Sequence, residues 1–425
     1  MKPRLFPKLS IVFAIFSLLL SACGPSANVA ASDLQRVTSP DVSADEIHAV
    51  TTANNAFALD LYQSLGSQDG NLIYSPFSIS LALAMTYAGA RGETEAQMAQ
   101  TLHFLPQNEL HPALNALDLE LAKRGEAQSE DDTPLQLNIA NAIWAEQTLT
   151  LLQEYLDVIA QNYGAGIQLA DFAGQPEAIR QDINNWVSTK TNDKIKDLLP
   201  RGILTPDTAM VLVNAIYFKA DWIYQFDPSE THEAPFHLLD GSDLQVEMMS
   251  QSLFGIPYAQ GNGYQAIELP YQGEAAVMDI IVPDEGKFNE FESALDTQKL
   301  NEILGGMQPG GAIEIGLPKF DFTSDFALRD HLIAMGMPDA FDGRADFSGM
   351  TGEKHLFIDA VLHKAFVAVD EKGTEAAAAT AVIMKETAAL QPDASLIVDR
   401  PFIFVIRDLP SGQILFIGRV LNPAE

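Results

Sequence analysis

The sequence predicts a mixed α+β domain built on large antiparallel sheets. Helical patterns dominate the first half of the chain and strand patterns the second. From about residue 45 onward no further linker interrupts them, and no repeat of about 20–50 residues is visible. The 425 residues are 47% hydrophobic, ample for one large core. The single cysteine, Cys23, leaves no intramolecular disulfide and no multi-thiolate zinc site, so packing must hold the fold.

Residues 46–65 follow a helical period, with Ile47, Val50, Phe57, Leu61 and Leu65 on one stripe. Residues 71–76 form a short extended or turn segment. Ser75 and Pro76 read as a helix start, Ser as N-cap and Pro at the first helical position, and 79–85 continue as a buried helix. Residues 93–102 predict another helix and 126–134 an acidic loop. Residues 135–144 (LQLNIANAIW) alternate at period two and predict a strand; 176–193 predict an amphipathic helix. The apolar run 209–218 (AMVLVNAIYF) predicts a strand central in a sheet. Strands at 266–269 and 275–282 are joined by the turn Pro270-Tyr271-Gln272-Gly273. Residues 312–320 predict one strand, 326–335 a short helix, and 365–369 a strand that runs straight into the segment beginning at Glu371. Residues 402–407 and 414–420 form a C-terminal hairpin across a turn containing Pro410 and Gly412.

The charge balance is 25 Lys plus Arg against 57 Asp plus Glu, a formal charge of -32. That disfavours nucleic acid and anionic membrane faces, which need basic patches, and reads otherwise as a well-solvated surface. At the N-terminus, Lys2, Arg4 and Lys8 precede the apolar run 9–20 (LSIVFAIFSLLL), followed by Leu20-Ser21-Ala22-Cys23. This is the order of a secretory signal, and the run is short of the roughly 20 apolar residues of a spanning helix. The Leu-Ser-Ala-Cys ending resembles a bacterial lipobox, which implies removal of residues 1–22 and lipidation of Cys23. Removing those three cations takes the charge from -32 to -35. Residues 24–43, rich in Ala, Ser, Pro and Asn without a sustained period, read as a flexible tether. The expected division is thus signal 1–22, lipidated Cys and tether 23–45, and folded domain 46–425, the domain extracytoplasmic and anchored to the cell envelope or surface.

Enzyme chemistry is not apparent. His232, Glu233 and His237 stand in H-E-x-x-x-H spacing, which on a helix sets the two imidazoles about 140° apart and unable to share a metal, and Pro235 lies between them. There is no G-x-S-x-G elbow, no P-loop and no G-x-G-x-x-G. No metal or other cofactor is expected.

Residues 371–384 (EKGTEAAAATAVIM) have another character. Gly373 is a possible pivot. The side chains of Thr374, Ala376, Ala377, Ala378, Ala379 and Thr380 are small, with Glu375 among them. At period two Thr374, Ala376, Ala378, Thr380 and Val382 share a face able to slide between strands, while Glu375 points away. A Glu followed by four Ala is equally good helix, so the stretch alone leaves both readings open.

The surroundings separate them. Asn71 to Ser78 (NLIYSPFS), Val213 to Trp222 (VNAIYFKADW), Leu317-Pro318-Lys319-Phe320, Ala345 to Met350 (ADFSGM), His363-Lys364-Ala365 continuing to Glu375, and Pro401-Phe402 follow one another in the order of the serpin family. From about Ile47 to Pro423 the chain resembles serpins. The resemblance implies a serpin fold of three β-sheets and about nine helices with an exposed reactive-centre loop. It implies a metastable inhibitor that traps a serine protease, or alternatively a cysteine protease, as an acyl-enzyme, and that is not itself an enzyme. It further implies a polar cluster under the sheet (Ser75, Ser78, Asn214, His363), an entry group (Trp222, Lys319, Glu371) with a Lys319–Glu371 ion pair, and a hinge over Glu371, Gly373 and Thr374 to Thr380. Counting from Glu371 places the bait bond at Thr387–Ala388; counting back from Pro401 shifts it toward Leu390, and Lys385 and Met384 are candidates by residue type. Thr or Ala suits an elastase-like or subtilisin-like target, Lys385 a trypsin-like one. Residues 93–121, where the family's heparin-binding helix falls, contain no Lys or Arg, so heparin activation is not expected. A monomer is expected. Two other functions compete: a non-inhibitory carrier on the same fold, which would spoil the hinge with bulky residues, and an unrelated lipid-anchored hydrolase, which would need a nucleophile and base.

Overall fold

The structure, a computed structural model, describes residues 28–125, 135–374 and 392–425. Its centre is the strand Met210–Asp221, buried throughout except at Lys219. Alternation sends its two faces into different layers. Leu212, Ile216 and Phe218 enter the main core. Val211, Val213 and Ala215 pack under Ile179, Ile183 and Val187 of the helix Pro176–Lys190. A strand covered on both faces reads as a continuous apolar run, which is how this one appears in the sequence.

This strand lies in a seven-stranded sheet ordered Asn28–Ala30, Ile167–Ala170, Gln136–Glu146, Met210–Asp221, Gly373–Thr374, Ala360–Asp370, Phe320–Ala327. Gly373 and Thr374 occupy only one end of their slot. Below them Met210–Asp221 and Ala360–Asp370 pair directly and in parallel, from Val211 opposite Ala360 to Tyr217 opposite Phe366. A second seven-stranded sheet contains the predicted hairpin, Phe402–Asp408 with Ile414–Val420, and the predicted pair Tyr264–Pro270 with Ala276–Pro283. The third sheet orders Ala394–Ile397, Ala312–Pro318, Asp243–Phe254 and His232–His237. Ten α-helices lie among the described residues, six of them before Met210, and the longest, Ala44–Leu65, is closed at its start by a Ser43–Glu46 capping box.

Three expectations are corrected, and one rejected motif is placed. Residues 312–320 are not one strand: Ala312–Pro318 and Phe320–Ala327 belong to different sheets, and the chain crosses between them at Lys319, whose N–H donates to the Glu247 carbonyl. The helix expected at 326–335 begins at Arg329, because Phe326 and Ala327 are still strand. The H-E-x-x-x-H residues, which were rejected as a metal motif and given no element, form the edge strand His232–His237; five residues apart, its two exposed imidazoles project from opposite faces. Residues 28–43 are not a free tether. Asn28–Ala30 adds an edge strand to the central sheet, the Ser32 hydroxyl donates to Asp157 at 2.5 Å, and Arg36 reaches Asp118 and Asn115 at 2.5 and 2.8 Å. The helices Gln107–Lys123 and Gln153–Tyr163 that receive this strap were not anticipated; Pro106 and Pro112 punctuate the first, Pro112 lying within its second turn.

Candidate functional site

Under the middle of the central sheet, four buried polar side chains join one helix to two neighbouring strands, and a fifth, half-buried, brings in a third. Ser75 caps the helix Pro76–Tyr87, its side chain accepting from the Ser78 N–H, as the Ser-Pro pair predicts. The Ser75 N–H donates to His363 Nε2 at 3.2 Å. That nitrogen is therefore the acceptor, and Nδ1 carries the proton toward Asn214 Oδ1. Asn214 Nδ2 donates to Ser78 Oγ at 2.6 Å and to Asn141 Oδ1. Asn141 was not singled out from the sequence. Its amide donates to the Ser78 carbonyl at 3.0 Å, its oxygen accepts from Ser78 Oγ at 3.2 Å, and it ties in the strand Gln136–Glu146. The available signal was an Asn on the apolar phase of the alternating strand, between Ile139 and Ile143. His363 and Asn214 sit directly opposite each other in the parallel pair, so parting those strands must break their hydrogen bond.

Burial pushes the His363 imidazole down to about 3. An unfolded histidine titrates near 6.5, so on acidification the unfolded chain takes the proton first. This contribution is complete above about pH 6.5 and is lost as the pH falls from there toward 3, at about 1.4 kcal/mol per unit. Between pH 7 and 5 the wild-type protein should therefore lose about 2 kcal/mol relative to a His363→Gln variant. Denaturant titrations of both at the two pH values measure it, and parallel pH profiles would contradict it.

The second locus lies where the hinge enters the sheet. Gly373 pairs with Asp221 and Asp370, and Thr374 with Ala220 and Val369. Thr374 is buried and its hydroxyl meets the Tyr271 hydroxyl at 2.6 Å. A Cβ on Gly373 would stand 2.2 Å from the Ala220 carbonyl oxygen, so this close approach demands glycine. Trp222 stacks on Tyr271 at 4.4 Å and donates from Nε1 to the Asp370 carbonyl at 3.1 Å. Lys319 Nζ stands 3.3 Å from Glu371 Oε1, the pairing anticipated, and 3.5 Å from Glu247. Thr231 also donates to Glu371 at 2.9 Å. Partial burial would raise the Glu371 carboxyl, but hydrogen bonds and the Lys319 ammonium outweigh it and hold it below its ordinary range. Tyr271, Thr231 and Glu247 were missed because each comes from a segment distant in sequence from Glu371.

The far side of the loop is fixed too. Asp393 exchanges backbone and side-chain hydrogen bonds with Ala312, and Ala394–Ile397 continues as an edge strand parallel to Ala312–Pro318. Glu375, Ala376, Ala377, Ala378, Ala379 and Thr380, the bait-bond candidates Met384, Lys385, Thr387, Ala388 and Leu390, the acidic loop 126–134, and Cys23 with its signal lie outside the described residues. Among the described residues no cluster of three His, Cys, Asp or Glu could hold a metal ion.

A loop whose first two residues already sit between strands otherwise paired with each other defines the serpin arrangement. The chain belongs to that family: the profile described as Serpin (serine protease inhibitor) matches residues 52–423. An uncharacterised serpin-like protein of Thermococcus kodakarensis is 40% identical over 378 residues, covering 88% of this chain and 86% of the relative. The leukocyte elastase inhibitor of Sus scrofa is also 40% identical, over 88% of this chain and 99% of its own. The thermophilic serpin tengpin in its native state superposes with a TM-score of 0.80 at 31% identity, over 92% of this chain and 97% of that one.

Proposed function

We propose that this chain inhibits proteases as a suicide substrate, held at the cell envelope or surface by a lipid on Cys23. The protease serine attacks the Thr387 carbonyl, the Thr387–Ala388 bond breaks, the Ala388 amine takes the proton from the protease's general acid, and an ester joins Thr387 to the enzyme. The freed strand then enters the central sheet, and insertion must outrun hydrolysis of that ester. The target is an elastase-like or subtilisin-like serine protease, the small Thr387 side chain fitting a modest pocket.

The observation that carries this reading is the register at the hinge. Continued downward from Gly373 opposite Asp221 and Thr374 opposite Ala220, it brings Ala376 level with Phe218, Ala378 with Ile216, Thr380 with Asn214 and Val382 with Leu212. On the other side, Thr374 opposite Val369 brings Thr380 level with His363. The core-facing row of the slot is apolar except at Asn214 and His363. The entering face is apolar except at Thr374, which already meets Tyr271, and Thr380, which would arrive at that polar pair. Glu375, on the outer row, would come level with the partly exposed Lys219. An antiparallel strand there would also exchange the present parallel seam for two antiparallel ones. A carrier protein has no use for such a match.

Incubation with a panel of serine proteases, followed by denaturing electrophoresis, tests the proposal. The expected result is an SDS-stable complex with at least one of them and a rise in thermal stability once the loop is cut. Absence of both would sink it. Mass spectrometry of the peptide freed on denaturation locates the bond among Thr387, Leu390, Lys385 and Met384.

A further inference from the structure

The point at which the N-terminal strap enters the fold and the point to which an inserted loop would carry its cargo lie at the same pole of the molecule. Asn28 is level with Leu169, Leu169 with Ala145, and Ala145 with Met210. Because Asn28–Ala30 runs antiparallel to Ile167–Ala170, the chain before Asn28 leaves past the Met210 end of the sheet. The hinge is at the other end, beside Asp221. The register that seats Thr374 at Ala220 brings residue 384 to Met210, so Thr387 would arrive about 10 Å beyond that edge. Sideways, Asn28 lies three strands from Met210, roughly 14 Å.

Two bodies therefore claim one pole. If Cys23 carries a lipid, four residues lie between it and Asn28, so the two are at most about 18 Å of chain apart. A trapped protease of ordinary domain size is roughly 45 Å across. It does not fit between this pole and a membrane held so near. The strap supplies the missing length. If residues 28–43 undock, the chain from Cys23 to Ala44 can span up to about 70 Å.

The strap is built to let go. Not one residue from 28 to 43 is buried, whereas from Val50 onward every helix and long strand contributes to the core. It holds by three strand pairs, by Ala30 half-buried against the core, by the part-exposed Arg36 on Asp118 and Asn115, by Ser32 on Asp157, and by the Val37 backbone, whose N–H donates to the Gln161 carbonyl and whose carbonyl accepts from Asn115; the side chains of Val29, Leu34 and Val37 lie open to solvent. Contacts of this kind belong to the low-stability end of a native structure. We propose that residues 28–43 form a retractable tether: docked, it holds the domain with the Met210 pole toward the lipid surface and the loop outward, and it unreels when a trapped protease is carried to that pole. This rests on the inhibitor and lipid-anchor readings above.

The test uses the full lipidated chain on phosphatidylcholine vesicles. Val29 and Gln168 face each other across the antiparallel pair, close enough for a disulfide in a Val29→Cys/Gln168→Cys variant. Oxidised, this lock should cut the fraction of protease trapped at least about fivefold, and reduction should restore it. The amides tied into the fold, those of the paired strand 28–30 and that of Val37, should stay protected from hydrogen exchange in the free protein and after loop cutting by a metalloprotease, which forms no acyl-enzyme, and lose protection in the protease complex. Equal trapping by oxidised and reduced forms, or strap amides still protected in the complex, would overturn the inference alone. So would a lock that abolishes the thermal stabilisation following a simple loop cut, since the strap would then belong to sheet opening itself. Lack of lipid on Cys23 by mass spectrometry removes the anchor reading and this inference with it. Lack of any SDS-stable complex with the unlocked chain removes the inhibitor reading and this inference likewise.

Discussion

Thr380→Arg is expected to leave the loop cleavable and abolish trapping. At its projected position the side chain faces inward between Asn214 and His363, both fully buried. A guanidinium there has no anion to meet, since burial holds His363 neutral and Asn214 carries no charge. Burying an unpaired charge costs several kcal/mol. Every 1.4 kcal/mol that reaches the insertion barrier slows insertion tenfold while ester hydrolysis continues unchanged. The partition should shift by about 100-fold or more toward cleaved inhibitor and free protease. Thr380→Ser, which keeps the hydroxyl, should trap as the wild type does, and Glu375→Gln, on the outer row, should change little. The ratio of complex to cleaved bands on a denaturing gel reads all three. Undiminished trapping by Thr380→Arg would mean that the loop does not enter in this register.

Arg407→Met should be the most damaging single change to the fold outside the site. Asp279 is fully buried in the strand Ala276–Pro283, and Arg407 Nε donates to its Oδ2 at 2.6 Å while Nη2 reaches Glu268. Burial pushes the Asp279 carboxyl up to about 6 even with the guanidinium beside it. Methionine would leave that carboxylate without its counter-charge, a loss of about 3–5 kcal/mol at neutral pH. The sign with pH follows from a folded carboxyl raised above its unfolded value: the native state takes up the proton first, so the deficit should narrow as the pH falls toward 4. Replacing both partners, Asp279→Leu with Arg407→Met, should recover much of the loss. Denaturant midpoints across pH measure the series; a deficit independent of pH would point to lost packing rather than a stranded charge.

Much of this architecture was readable where the cause is local. Ser75-Pro76 marks a helix start because an N-cap and a proline at the first helical position act within four residues. AMVLVNAIYF marks a central strand because both its faces are covered. The row of small side chains from Thr374 to Thr380 is legible in the sequence, and the register at Thr374 gives the proposed insertion its address. What escaped were partners set by long-range approach. Nothing near Glu371 announces Thr231, Glu247 or Tyr271, and nothing near Asn214 announces Asn141. Lys319 was read as the penultimate residue of one strand, 312–320, because Phe320 continues the apolar pattern past it, although the chain there passes from one sheet to another. Residues 28–43 looked like a tether for a related reason. A segment that lies on a surface buries nothing and so carries no hydrophobic period, and composition cannot distinguish it from one that lies nowhere.

The hairpin Phe402–Asp408 with Ile414–Val420 has a consequence for bookkeeping at the bench. It sits mid-sheet, with Phe402, Phe404, Phe416 and Ile417 wholly enclosed, and Leu72–Tyr74 borders it on the far side. Residues 392–425 are thus woven into the molecule. A nick at Thr387 would sever the polypeptide without shedding any of it. Size-exclusion chromatography or native mass spectrometry would see one particle of unchanged mass plus a water, and only a denaturant would reveal two chains. A screen that looks for a departing fragment would score this protein as resistant to the enzymes that cut it.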